Sequence, residues 1–258
     1  VELSTARWPD VAAAPRRVLV VPVGSTEQHG PHLPLDTDTR IAAAVAARAC
    51  AALPGSGLGL APAIPIGASG EHAGFPGTLS IGTVALSTLL VELGRHASAY
   101  WPAMLVVNGH GGNADAISSA IAQLRAEGRA CHVWHAGLKP PMLAALLAAL
   151  REAAAAAGAV PGAVPAAASQ LVPDAHAGRV ETSLMLAVAP DDVRLAAAQA
   201  GDTRPLRELL PALRAHGTRG VTPNGVLGDP AGASAAEGRL LLDQLTADLT
   251  AVLRALLA

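Results

Sequence analysis

Aromatic side chains are scarce in this sequence: three Trp, one Tyr and one Phe among 258 residues, or 2%. Any core must therefore be filled by Ala, Leu and Val, and the 51% hydrophobic content is enough for a large one. Cysteine is nearly absent. Cys50 and Cys131 each lie inside an apolar segment, which excludes a disulfide framework and fits buried thiols in a reducing compartment. Charge of either sign is short as well. A formal net charge of −2 leaves no electrostatic footprint for nucleic acid or an anionic membrane, so neither is expected as a partner. No apolar run reaches the roughly 18 residues needed to span a bilayer without charges or prolines. The sequence as given does not open on a basic-then-apolar signal segment, and a cytoplasmic location is the expectation. The only Lys is Lys139, against many Arg, and Ala is in excess. That bias marks a GC-rich genome, so Ala runs say little about structure. No charge run or polar tract divides the chain, no internal repeat is visible, and a single domain over 1–258 is expected.

What is present is an alternation of strand and helix patterns. Val18–Val23 is an apolar run that reads as a buried strand. Asp38–Ala52 reads as a helix, Gly59–Ile66 as a Pro-containing edge strand, and Val84–Ala99 as a helix. Met104–Val107 predicts a short strand, Ala114–Glu127 a helix, Ala130–Trp134 a strand and Pro141–Ala157 a helix. Ala153–Gln170 is low in complexity and reads as a mobile loop or short helix. Glu181–Val188 and Ala235–Leu257 close the chain as helices. Such alternation predicts an α/β fold with helices on both faces of a mostly parallel sheet.

The polar chemistry gathers at four places. Gly24-Ser25-Thr26-Glu27-Gln28-His29-Gly30-Pro31-His32-Leu33-Pro34-Leu35-Asp36-Thr37-Asp38 directly follows the first strand, and its Gly and Pro residues make it a loop. Glu71-His72 sits in a Gly-rich stretch that ends in Phe75-Pro76-Gly77-Thr78. His110 follows the Met104–Val107 strand, flanked by Gly109, Gly111 and Gly112, which permit close backbone approach to a ligand. Asp174-Ala175-His176-Ala177-Gly178-Arg179-Val180-Glu181-Thr182-Ser183 is the fourth. Two of these follow strands directly, and open α/β sheets collect ligands and catalytic groups at strand ends. Mixed imidazole and carboxylate donors suit Zn, Fe or Mn. Five candidate ligands, Glu27, His29, Asp38, His110 and Glu181, suffice for two metals if Asp38 is shared.

Each candidate also has a plainer reading. Glu27 alone is a solvated acid, and His29 or His110 alone caps a turn. Asp36 reads as a helix N-cap and Asp38 as a ligand, although either type caps helices. His32 reads as a group that supports a ligand or as a spare ligand. Glu71 is either a loop acid or a group that orients substrate, and His72 either lines the pocket or closes its loop. Asn113 either caps the following helix or supports the site. His176 either moves protons or orients Glu181. His96, His132, His135 and His216 have no polar companions in sequence and read as structural.

The motifs resemble the creatininase family of metal-dependent amidohydrolases. The resemblance rests on Thr26 to Pro34 with Asp38, on Phe75-Pro76-Gly77-Thr78, on Asn108-Gly109-His110-Gly111-Gly112-Asn113, and on His176-Ala177-Gly178 with Glu181-Thr182-Ser183. It extends from about Val18 to the Gly225–Gly238 stretch. It implies a three-layer α/β/α sandwich, two divalent metal ions per subunit (Zn2+, Fe2+ or Mn2+) and a closed homo-oligomer, a hexamer or octamer. Glu27, Asp38 and His110 match the ligands of one metal. His29, Asp38 and Glu181 match those of the other, with Asp38 bridging. His176 matches the family's proton-shuttling histidine. One departure matters. In creatininase itself a carboxylate ligand lies two positions after the third-motif histidine, where this sequence has Gly112. Creatinine is therefore not the expected substrate. The Asp174–Arg179 and Pro223–Pro230 stretches look most like a peptidase branch of the family. That branch trims a modified precursor peptide and releases its cross-linked, decarboxylated C-terminal Val-Tyr pair. A small cyclic or formyl amide remains the alternative substrate, and a phosphate-bearing one would want Arg40, Arg179 or Arg219.

Overall fold

The computed structural model describes residues 1–137 and 174–258, with Ala148 between them. Apart from Ala148, the helix read over Pro141–Ala157 and the Ala153–Gln170 segment lie outside the described residues. The chain divides into two compact units. The first holds Val1–Gln28, Leu35–Ala136 and Thr246–Ala258, and the second holds His29–Pro34 and Gly137–Leu245.

The first unit is built on four parallel strands: β1 (Val18–Val23), β2 (Leu58–Leu60), β3 (Ala103–Asn108) and β4 (Ala130–His135), in the order β2-β1-β3-β4. Its helices are α1 (Trp8–Ala13), α2 (Thr37–Ala51), α3 (Gly82–Ala97) and α4 (Ala114–Ala126). All six residues of β1 are buried, as a central parallel strand covered on both faces requires. Leu19, Val21 and Val23 point into one core with Leu86, Leu90 and Val91 of α3 and Ile117, Ile121 and Leu124 of α4. The alternate residues Val18 and Val20 are equally buried and face the other way. Helix α2 packs against β1 and β2, and Ile41, Val45 and Ala49 are among its buried residues. Layers of helix, sheet and helix result, which is the three-layer α/β/α arrangement expected. Each fully buried Leu or Ile contributes roughly 1.5–3 kcal/mol relative to exposure.

Strand order fixes where the chemistry can sit. The chain leaves β1 toward β2 on one side and returns to β3 on the other, so the order reverses beside β1. Crevices at such reversals open outside the carboxyl ends of the strands. Val23 pairs with Asn108, so β1 and β3 end flush, and Gly109 N–H donates to the Val23 carbonyl across 2.8 Å. The Glu27 and His110 loops therefore start side by side.

The second unit contains α5 (Arg179–Val188), α6 (Leu206–Val221) and the first part of α7 (Ala235–Leu257), whose residues from Thr246 onward belong to the first unit. Helix α6 bends at Gly217, which adopts φ 66°. Both cysteines are free. No helix among the described residues is long and apolar enough to cross a membrane.

Some boundaries differ from the sequence reading. The strand read over Gly59–Ile66 is regular only at Leu58–Leu60, because Pro62 and Pro65 lack the N–H a ladder needs; Ile64 still bridges Val23. The helix read from Glu181 starts at Arg179. Asp36 occupies the N-cap position of α2, yet its side chain makes no capping bond and instead pairs with Arg40 at 2.8 Å.

Candidate metal centre

In the first unit, one ligand atom each from Glu27, Asp38 and His110 lies within 4.8 Å of the others, and all three side chains are buried. Each comes from the carboxyl edge of the sheet: Glu27 after β1, His110 after β3, and Asp38 from the first turn of α2, which follows β1. His110 Nδ1 stands 3.1 Å from Asp38 Oδ2, and its Nε2 stands 3.1 Å from Glu27 Oε2. A buried imidazole with two buried carboxylates is a donor set for a borderline divalent cation. Burial by itself would depress the His110 pKa. Hydrogen bonds to Asp38 and Glu71 and the charges of Glu27 and Asp38 outweigh it and hold that pKa well above 6.5.

The supporting groups are specific. Ser25 Oγ donates to Asp38 Oδ2 across 2.6 Å. His72 faces Glu27 Oε1 through Nε2 at 3.3 Å, and its Nδ1 accepts from the Gln28 amide at 2.9 Å. His72 thus stands between Gln28 and a candidate ligand. Glu71 places Oε1 3.3 Å from His110 Nε2. Burial would raise the Glu71 pKa, but the hydrogen bond from His110, a bond from its own backbone and the charges of His110 and His72 bring it below 4.5.

Asn113 stands at the N-cap of α4, but its side chain makes no capping bond there. Its Oδ1 accepts from Ala68 N–H at 2.8 Å, and its Nδ2 donates to Gly24 O at 2.9 Å and to Asn108 Oδ1 at 3.2 Å. One amide therefore ties together the loops after β1, β2 and β3. Asn108 in turn donates to the His110 carbonyl at 2.7 Å and meets His135 Nδ1 at 3.1 Å. His135, read from sequence as having no polar companion, has this one.

In the second unit, His29, His176 and Glu181 form another group whose ligand atoms lie within 4.8 Å. His29 Nε2 is 3.9 Å from Glu181 Oε2, and the His29 and His176 ring centroids are 4.2 Å apart. Glu181 lies in the first turn of α5, and its Oε2 accepts from Ala177 N–H. The backbone of His176 pairs in both directions with Leu227, at 3.1 and 2.9 Å. Ala177, fully buried, adopts φ 53°, a left-handed conformation that a non-glycine residue takes only under constraint from its surroundings. Asp174 anchors the turn by accepting from Val180 N–H at 3.2 Å. His32 Nε2 meets Thr182 Oγ1 at 2.9 Å, which pins the 29–34 loop to α5. Burial, then the neighbouring His29, depresses the His32 pKa.

By unit, Glu27, Asp38, His110, His72, Glu71 and Asn113 belong to the first, and His29, His176, Glu181 and His32 to the second. The reading missed Ser25, Gln28 and Asn108. Two of the arginines considered for a phosphate are engaged with acids, Arg40 with Asp36 and Arg179 with Glu237 at 2.9 Å.

The family model for creatininase, described as creatinine amidohydrolase, matches residues 4–253. A Mycolicibacterium smegmatis protein named mycofactocin precursor peptide peptidase is 47% identical over 231 residues, covering 88% of this chain and 81% of that protein. The protein of the same name from Mycobacterium tuberculosis H37Rv is 45% identical over 237 residues, covering 89% and 82%. Among solved structures, one described as "Creatininase Mn" superposes with a TM-score of 0.71 at 25% identity, covering 99% of this chain and 98% of that one. The chain belongs to the creatininase family.

Proposed function

We propose that this chain is a metal-dependent hydrolase of a C–N amide bond, and specifically a peptidase that releases the modified C-terminal Val-Tyr unit from the mycofactocin precursor peptide. The observation that carries the reading is the buried Glu27–Asp38–His110 triad at the carboxyl edge of the sheet, in a chain 43–47% identical to proteins named for that peptidase activity. The whole chain is taken as one creatininase-like domain, since the family model runs through both compact units.

The donor sets fit divalent metal. Glu27, Asp38 and His110 offer two carboxylates and an imidazole, and His29, His176 and Glu181 offer two imidazoles and a carboxylate. Zn2+, Fe2+ and Mn2+ all accept such mixtures. Glu27, Asp38 and His110 would hold one ion in this reading, and the family resemblance assigns His29 and Glu181 to a second. Bound divalent metal supplies Lewis acidity toward an amide carbonyl and makes water acidic enough to attack near neutral pH. The chain's own residues do the rest. His72 and Gln28 fix the rotamer of Glu27, Ser25 fixes Asp38, and Asn113 keeps the three loops in register. His176 takes a proton from the attacking water and returns it to the departing nitrogen, for which an imidazole pKa near 6.5 is suited. The chain acts as a closed homo-oligomer in the cytoplasm, on a peptide rather than a nucleic acid or membrane.

Incubating metal-loaded protein with the modified precursor peptide, with creatinine and with a small formyl amide, followed by mass spectrometry, tests the proposal. Release of the Val-Tyr unit by cleavage at the bond preceding Val is expected. Turnover of creatinine or the formyl amide with the peptide left intact would overturn it.

A further inference from the structure

We propose that Glu71 is a positioning residue of the metal centre: together with the Ala68 carbonyl it holds the proton on His110 Nε2, so that Nδ1 is the ligand atom, and position 112 is glycine so that Glu71 can reach it. The inference rests on the reading of Glu27, Asp38 and His110 as a metal triad.

Three oxygens surround His110 Nε2: Glu27 Oε2 at 3.1 Å, the Ala68 carbonyl at 3.2 Å and Glu71 Oε1 at 3.3 Å. A carbonyl oxygen and an ionised carboxylate only accept hydrogen bonds. An Nε2 lone pair aimed into that ring of oxygens would be repelled by all of them. Nε2 therefore carries a proton, and in the neutral ring the lone pair lies on Nδ1. That atom faces Asp38 Oδ2 at 3.1 Å. Glu27 is committed to metal in the triad reading, which leaves Ala68 and Glu71 to hold the N–H. A ligating histidine whose second nitrogen donates to a carboxylate or carbonyl has its tautomer and ring angle fixed and its basicity raised.

The place for Glu71 is built into the backbone. A Cβ on Gly112 would lie 2.3 Å from Glu71 Oε1, 2.4 Å from His110 Nε2 and 2.5 Å from the Ala68 carbonyl. All three groups converge on space that any side chain at 112 would fill. The carboxylate next to this histidine is thus supplied by Glu71 from the loop after β2, in a chain that has no side chain at 112. Glu71 itself is only half-buried, its side chain 35% exposed, so it can be replaced without opening the core.

Zinc affinity of the metal-stripped full chain, measured by competition with a chromophoric chelator, tests the role in four proteins: the unmutated chain, Glu71→Ala, Glu71→Gln and Asp38→Ala. Glu71→Ala is expected to weaken zinc binding about 10–100-fold, the usual effect of removing a partner of a ligating histidine. Glu71→Gln is expected to recover most of that loss, because its amide oxygen still accepts. The 15N spectrum of the zinc-loaded, unmutated chain is expected to show His110 protonated at Nε2 and metallated at Nδ1, a readout that needs no Glu71 variant. Unchanged affinity in Glu71→Ala, no rescue by Glu71→Gln, or a metallated Nε2 each overturns the positioning role alone. If the unmutated chain binds no zinc, or Asp38→Ala binds it equally well, the triad reading falls and this inference with it.

Discussion

Ser25 Oγ donates a 2.6 Å hydrogen bond to Asp38 Oδ2, and both side chains are buried. The bond holds the carboxylate of Asp38, which the proposed function makes a metal ligand. Ser25→Ala is expected to fold and to bind metal about 10–100-fold more weakly, as loss of a ligand's hydrogen-bond partner does. Asp38→Ala is expected to lose metal more completely than any other single ligand change. Elemental analysis of the purified variants checks both. Two equivalents of metal retained in Asp38→Ala would rule out Asp38 as a ligand.

Asn113 carries a structural load that its position at the head of a helix conceals. Replacing it by Ala leaves Ala68 N–H and Gly24 O without the partners they have now, in buried surroundings. An unsatisfied buried group costs about 1–3 kcal/mol. Asn113→Ala is expected to lower unfolding free energy by at least that much in a denaturant titration of the metal-free chain. A loss under roughly 0.5 kcal/mol, the scale of an ordinary surface change, would mean the three loops are held by other means.

How much of this was legible in the sequence depends on how local each signal is. Glu27, His29 and Asp38 stood out because they crowd one loop after an obvious strand, and His110 because glycines surround it. Ser25, Gln28 and Asn108 did not, since one hydroxyl or amide has no spacing to read and its partner is fixed only on folding. Asn113 Oδ1 meets Ala68, 45 residues earlier, a pairing no local pattern encodes. The fold class followed from strand and helix alternation. The division into two units did not, because His29–Pro34 belongs to one unit while its flanking residues belong to the other. Helix α6 escaped notice because Pro211 and Gly217 interrupt its pattern. Helix α1 escaped because it buries none of its residues.

The titration of His110 gives the metal-free chain a pH signature. Its folded pKa lies well above 6.5, raised by hydrogen bonds and charges that overcome burial. The stabilisation this confers is fully present below about 6.5, the unfolded value, and is lost as pH rises through the folded pKa. Glu71 acts in the opposite sense: its pKa is depressed, so its contribution is present above about 4.5 and lost as pH falls through the folded value. Apo stability is therefore expected to be highest between these limits and to decline toward alkaline pH. Metal affinity is expected to rise over the same alkaline range, because the ligating nitrogen must shed its proton. Melting temperatures of metal-free and zinc-loaded protein across pH check both trends. A His110→Ala chain whose apo profile declines as steeply as that of the unmutated chain would reassign the effect.

Assembly is expected from the resemblance and from the surface. Leu79, Val84 and Trp8 are 52%, 81% and 81% exposed, large apolar side chains that a lone subunit leaves in water. Closed point-group symmetry is the usual form of such association. Light scattering at micromolar concentration is expected to return the mass of a hexamer or octamer. A monomer mass would contradict it.

His176 poses the sharpest question, because its surroundings suit two roles. Its ring sits 4.2 Å from that of His29, within the group that also contains Glu181, so it is placed to bind metal. The proposed function makes it the proton carrier instead. Replacement by Ala separates these roles, since the backbone of His176 is held by Leu227 and does not depend on the ring. As a proton carrier, His176→Ala keeps its metals and its substrate affinity. It turns over about 10²–10⁴-fold more slowly, the usual contribution of a positioned acid–base group. The loss then falls on kcat and leaves KM nearly unchanged. As a ligand, it loses metal in step with activity. Metal content and the two kinetic constants, measured on one preparation with the peptide ending in the modified Val-Tyr unit, distinguish the outcomes. We expect the first. The second would move proton transfer to another group, with His72 beside Glu27 the next to replace.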